Sequence, residues 1–322
     1  MSAVAATARP ASRARRGYAL AALAAALWAL NASIARSLLD DGLPALRLTQ
    51  LRSTGAFVVL AAVLAATRRD LLRVRREDVP ALAFVGVAGL ALVQGAYFIA
   101  IDRLQIGAAL TIEYLAPLVL LVWLRTVHGR RLRPELWAAV LMSAVGCFFV
   151  VGAYHAGSLD GLGVAAAFAS TLTYAIYMVG SERAGRRHQP VTTLVWAFGF
   201  ATLFWAIVLP PWSFPFDRIE SATHALLAIA VVTVGTLLPF TCIVAALRLI
   251  PAPRAAAIAT LEPALAALFA WLLHGEVLAA PQVAGGAVVL AAVIWVQARG
   301  PDLAAEAAPP GRRPLAGGPA PH

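Results

Sequence analysis

Two acidic residues stand inside apolar runs, where charge is expensive. Glu113 lies in Thr111-Ile112-Glu113-Tyr114-Leu115-Ala116-Pro117 and Glu262 in Leu261-Glu262-Pro263. An ionisable side chain in hydrocarbon costs roughly 2.5 to 3.5 kcal/mol on insertion scales, so each is by default a candidate functional group. A carboxyl group held in a low-dielectric site and reached at times by water can cycle a proton. That suits coupling to protons or another cation, or contact with a substrate amine. Arg47 and Arg52 share another apolar run and offer the competing reading, a structural ion pair with Glu113 that holds two helices together.

Pro117 and Pro263 lack a backbone donor and crowd the carbonyl four residues earlier. Within a membrane that is tolerated where protein or a water-filled cavity satisfies the freed groups. Prolines at matching depth in two apolar segments therefore mark a central site, the alternative being a kink in a packed helix. Candidate wall residues are Trp28 and Asn31, Gln94 and Tyr97, Tyr114, and Tyr174 with Tyr177. Each aromatic alone suits packing or an interface as well as ligand contact.

No glycine-rich phosphate loop, HExxH zinc motif or GxSxG elbow is present, so neither an enzyme nor a cofactor or metal site is expected. Cys147 and Cys242 each sit within apolar sequence, as free cysteines do, and imply no disulfide.

The elements that position these residues must be membrane helices. Of 322 residues 61% are apolar and only 13% charged, and mean hydropathy is +0.79. A bilayer core needs about 20 apolar residues per helix. Such runs recur near Gly17 to Leu38, Pro44 to Ala66, Pro80 to Ile101, Ile106 to Trp123, and Pro134 to Ala153. Five more follow near Gly161 to Val179, Val191 to Leu209, Ala225 to Leu247, Ala255 to Leu273, and Pro281 to Val296. The expected fold is an all-α integral membrane bundle of ten transmembrane helices. The start, with Arg13, Arg15 and Arg16 ahead of Tyr18 to Leu30, imitates a secretory signal but reads as an Arg-rich tail (1–16) and a first membrane helix.

All 26 basic residues are arginine, and the net charge is +10. Their positions argue against nucleic acid, because they cluster at the edges of apolar runs and not among exposed aromatics. With the N terminus cytoplasmic, Arg68 to Arg76, Arg125 to Arg133, Arg183 to Arg187, Arg248, Arg254 and both tails fall inside, leaving Arg36, Arg103 and Arg218 outside. That asymmetry predicts both termini in the cytoplasm. The segment from Pro301 to His322, rich in Ala, Pro and Gly, is expected to be disordered.

An ungapped offset of 146 residues pairs Gly17 with Gly163, Pro44 with Pro190, Gly89 with Gly235, Pro117 with Pro263, His128 with His274 and Gly129 with Gly275. It also pairs Trp28 with Tyr174. The repeats are 17–153 and 161–297. Five helices per unit is an odd number, so the second copy is expected upside down, the plan of many secondary transporters.

Two five-helix units, each with a proline-containing fourth helix ending near His-Gly, resemble the EamA-type units of the drug/metabolite transporter superfamily. Leu261-Glu262-Pro263 and Gly275-Glu276 are similar to that family's Glu-Pro and Gly-Glu signatures. Ala35-Arg36-Ser37-Leu38, Leu43 to Leu48 and Tyr174-Ala175-Ile176-Tyr177 resemble the threonine/homoserine exporter branch. The first half departs from the pattern, with Arg130 at the Gly-Glu position and Ala116 before Pro117. The resemblance implies export or exchange of a small polar metabolite, amino acids first, across the bacterial inner membrane by alternating access. It leaves open efflux of drugs or toxic metabolites, and a non-transporting membrane scaffold. Expected partners are the small molecule, protons, the lipid bilayer and a second copy as a homodimer.

Overall fold

The computed structural model describes residues 3–104, 106–127, 129, 132–155, 160–219, 221–274 and 279–298. The segment 301–322 and the Gly275-Glu276 signature lie outside them, as do His128, Arg130 and Arg131. All regular structure among the described residues is helical.

The first half comprises α1 (Ala3–Asp40), α2 (Ala45–Thr67), α3 (Val79–Phe84), α4 (Leu92–Arg103), α5 (Ile106–Glu113), α6 (Ala116–Thr126) and α7 (Pro134–Val150). The second comprises α8 (Gly161–Ala184), α9 (Pro190–Val208), α10 (Ala222–Val232), α11 (Leu238–Leu247), α12 (Ala252–Ala259), α13 (Leu261–His274) and α14 (Ala280–Ala298). Prolines open α7 and α9, where a missing N–H costs nothing. Side-chain caps start α8 and α10: Asp160 accepts from Gly163 N at 2.7 Å and Ser221 Oγ from His224 N at 3.0 Å.

Five helical stretches are long and apolar enough to cross a membrane: Ala45–Thr67, Arg76–Tyr97, Gly161–Ala184, Pro190–Val208 and Ala222–Leu247. Pro134–Val150 and Ala280–Trp295 are apolar but shorter. The expected fourth and ninth spans are each divided in two. α5 stops at Glu113 and α6 resumes at Ala116, while α12 stops at Ala259 and α13 resumes at Leu261. Pro117 and Pro263 fall in the first turn of the resumed helix, so the proline donor is lost where a new helix begins and not within a continuous one. The third and eighth spans instead carry π-helical turns, Val85–Ala91 between α3 and α4 and Thr233–Leu237 between α10 and α11.

Contacts between the halves are reciprocal. α1 packs on α11, and one repeat away α8 packs on α4; α2 meets α9, and α7 meets α14. The pattern holds at single residues. A Cβ on Gly17 would lie 2.8 Å from Ile250 and 2.9 Å from Leu249, and one on Gly163 would lie 2.7 Å from Leu104 and 3.0 Å from Arg103. Adding 146 to Gly17 and subtracting it from Leu249 and Ile250 gives Gly163, Arg103 and Leu104. Such an exchange of partners requires a pseudo-twofold relation between the halves.

Side chains on the outer surface are apolar, as lipid contact demands: Ile207 is 73% exposed and Leu226 67%. The core is also apolar and aromatic. Phe240 of α11 stands at its centre, with edge-on contacts to Trp28 (5.3 Å), Tyr177 (5.6 Å) and Phe198 (5.5 Å).

Candidate functional site

The two helix breaks bring the expected carboxylates together. Glu113 is the last residue of α5, and Glu262 belongs to the first turn of α13. Both are partly buried and lie within electrostatic reach of one another. They are not repeat equivalents, since the offset places Ala259 opposite Glu113 and Ala116 opposite Glu262. One carboxylate closes the first half-helix of its span and the other opens the second half-helix of its own.

Each has distinct partners. Ser170 of α8 donates to Glu113 Oε1 at 3.0 Å, with the Val93 carbonyl 3.2 Å from the same hydroxyl. Glu262 receives a hydrogen bond from Tyr114 and faces the charge of Arg52. Arg52 Nε donates to Thr236 Oγ1 at 3.0 Å and its Nη2 to the Gly235 carbonyl at 3.3 Å. Both acceptors belong to the second π-helical turn, where backbone is released from the regular ladder. Tyr97 and Tyr174 lie within electrostatic reach of both glutamates, completing a polar cluster of Arg52, Tyr97, Glu113, Tyr114, Tyr174 and Glu262.

Side chains from the opposite half satisfy the broken backbone. Thr171 Oγ1 of α8 is 2.8 Å from the Ile112 carbonyl, and Cys147 Sγ of α7 is 3.8 Å from the Thr260 carbonyl. Pro117 and Pro263 are buried beside these breaks.

Arg47 does not join the cluster. It donates to Gln50 Oε1 at 2.8 Å, to the Pro210 carbonyl at 3.2 Å and to Ser213 Oγ at 2.6 Å, tying α2 to the segment after α9. The ion-pair reading of Glu113 also shifts, because the partly buried Arg52 faces Glu262 while Glu113 is held by a serine.

Trp28 and Tyr177 contribute to the aromatic core through Phe240. Asn31 is buried against Gly235 with its Oδ1 unpaired, and Gln94 Oε1 is likewise buried without a partner. An unsatisfied buried acceptor costs about 1–3 kcal/mol, and these two are among eight buried side-chain polar atoms without a partner among the described residues. Phe240, Ser170, Thr171 and Thr236 were not among the expected site residues. Their own apolar or weakly polar character carries no signal, although Phe240 is the repeat image of Gln94.

Two carboxylates, Asp78 and Asp41, anchor contacts at the rims. Asp78, just ahead of α3, bonds Arg187 at 2.9 Å and His188 at 3.3 Å. Asp41, just beyond α1, bonds His224 of α10 at 2.8 Å. The repeat offset relates Asp78 to His224 and Asp41 to Arg187, so these are one contact made twice with the acidic and basic residues exchanged.

The bundle and its repeat define a membrane transporter of the drug/metabolite type. The chain belongs to the EamA-like transporter family, whose model matches residues 15–152 and again 161–297. It is 25% identical over 291 residues to the uncharacterized inner membrane transporter YicL of Salmonella typhimurium, covering 88% of this chain and 95% of that one. It is 28% identical over 273 residues to the threonine/homoserine exporter RhtA of Escherichia coli K12, covering 82% of this chain and 85% of that one. A solved crystal structure superposes with a TM-score of 0.74 at 20% identity, covering 89% of this chain and 98% of that one, and so shares the fold. Membership makes the ligand a small molecule and the environment a lipid membrane.

Proposed function

We propose that this chain is a secondary transporter of the bacterial inner membrane that exports or exchanges a small polar metabolite, an amino acid first among candidates, by alternating access. In this reading ten spans cross the membrane as two inverted five-helix units with both termini in the cytoplasm. The third, fourth, eighth and ninth spans are irregular, and the half-helix ends at Glu113 and Glu262 face a midplane site.

The observation that carries it is the juxtaposition of two carboxylates at matching helix breaks with the partly buried Arg52 and tyrosines beside them. Discontinuous helices at repeat-related positions are how transporters expose backbone and charge to a substrate. A zwitterion fits such a cluster, its carboxylate toward Arg52 and its ammonium toward Glu113 and Glu262. The unpaired oxygens of Asn31 and Gln94 add acceptors for donors that an amino acid brings. The likeness to a threonine/homoserine exporter supports the same substrate class. Glu113, bonded to a neutral serine and with no cationic partner among the described residues, is the residue assigned to proton coupling.

The aromatic set around Phe240 favours a second reading, efflux of apolar or aromatic compounds. Uptake into inside-out vesicles separates the two. Accumulation of a labelled amino acid that grows with an imposed pH gradient is the expected result. Accumulation of aromatic cations and of no amino acid transfers the assignment to drug efflux.

A further inference from the structure

A cavity of about 790 Å³ opens sideways between α3, α6 and α8, away from the carboxylate cluster. Its walls are hydrocarbon, from Leu82, Phe84, Val119, Leu120, Leu172 and Ile176. Phe84 and Leu172 are 56% and 53% exposed, so the groove opens to whatever surrounds the bundle. One end is different. There Arg183, Arg186, Arg187 and His188 gather, with Asp78 as the acidic member of the rim.

The arginines are not equally committed. Arg187 is held by Asp78 at 2.9 Å and Arg186 by Glu182 at 3.2 Å. Arg183 is exposed, lies over the Trp123 ring at 5.4 Å, and has no carboxylate partner among the described residues. The rim therefore carries an unspent positive charge beside an indole, the pairing found at the headgroup level of a bilayer.

The dimensions agree with one leaflet. From Leu172 to Arg183 the α8 floor rises about 16 Å at 1.5 Å per residue. A hydrocarbon core of about 30 Å gives about 15 Å from midplane to headgroup. An occupant matching this groove has an acyl chain along α6 and α8 and an anionic group at Arg183.

We infer that this groove is a binding site for an anionic glycerophospholipid, with its phosphate held by Arg183 at the arginine rim and an acyl chain along Leu172 and Ile176. Basic rims between membrane helices recognise anionic headgroups by this charge complementarity. The occupant is a lipid and not a free phosphate, because the apolar floor, with its large exposed side chains, is the greater part of the surface.

The test uses the full chain purified in detergent, with bound lipid read by native mass spectrometry and thermal stability by melting. Probes are phosphatidylglycerol, phosphatidylcholine with the same acyl chains, and glycerol 3-phosphate. Phosphatidylglycerol should be retained and raise the Tm more than phosphatidylcholine, and Arg183→Gln should cut that preference about fivefold. Arg75→Gln, at an exposed arginine outside the groove, should leave it unchanged, and Leu172→Trp should weaken both lipids by filling the floor. Equal response to the two lipids overturns the proposal. So does an equal loss in Arg75→Gln, retention of the preference in Arg183→Gln, unaltered binding in Leu172→Trp, or stabilisation by glycerol 3-phosphate alone.

Discussion

Tyr177 rests on Gly89 through its backbone, its Cα 2.9 Å from where a Cβ on that glycine would stand, and one repeat away Asn31 rests on Gly235 through its side chain. Both glycines lie in π-helical turns, and both contacts join a first helix of one half to a third span of the other. The crossing is made twice by one sequence unit, with a different side chain each time.

Substitution tests how each crossing is built. Gly235→Ala drives a methyl into the Asn31 side chain and should cost about 1–3 kcal/mol, read as a lower melting temperature in detergent. Asn31→Ala in the same chain should restore most of it. Gly89→Ala meets the backbone N and Cα of Tyr177, so Tyr177→Ala should give no such rescue. Rescue at both sites, or at neither, would contradict this geometry.

The two arginines of α2 should behave oppositely. Arg52→Gln removes the charge that faces Glu262 and the donor to Thr236 Oγ1 and the Gly235 carbonyl; losing a hydrogen bond from a charged group costs about 1.5–3 kcal/mol. Loss of transport or of stability should follow. Arg47→Gln loses part-exposed contacts near Pro210 and Ser213 and should cost no more than about 1 kcal/mol. Parallel melting curves and uptake rates decide the point, and equal effects would contradict it.

Much of this was legible in the chain. The offset of 146 residues is visible through Pro, Gly and His, which resist chance matches in alanine-rich sequence, and the contacts of Gly17 and Gly163 obey the same offset. Helical arithmetic also separates Arg47 from Arg52: five residues turn about 140° around an α-helix, so one cluster does not receive both. Other features carry no local mark. The aromatic centre is Phe240, one of 13 phenylalanines in an apolar chain, and only packing distinguishes it. The prolines announce an irregularity, but not that the helix breaks lie just ahead of them, where Thr171 and Cys147 of the opposite half meet the carbonyls of Ile112 and Thr260.

Inversion makes a prediction about sidedness. The rim pair Asp41–His224 should face the periplasm and Asp78–Arg187 the cytoplasm. A membrane-impermeant thiol reagent applied to intact cells should label Asp41→Cys and spare Gln189→Cys until the membrane is opened, with Cys242 replaced to silence the partly buried native thiol. Labelling of both from one side would contradict the inverted arrangement.

The central claim is that transport is coupled to protons through Glu113. The direct measurement is proton movement in proteoliposomes, followed with an entrapped pH-sensitive dye as an amino acid substrate is added, alongside counterflow of labelled substrate. The wild-type chain should show substrate-driven proton flux, and Glu113→Gln should abolish that flux while counterflow continues, because glutamine retains a hydrogen bond to Ser170 but carries no exchangeable carboxyl proton. Proton flux of wild-type size in Glu113→Gln would contradict the account.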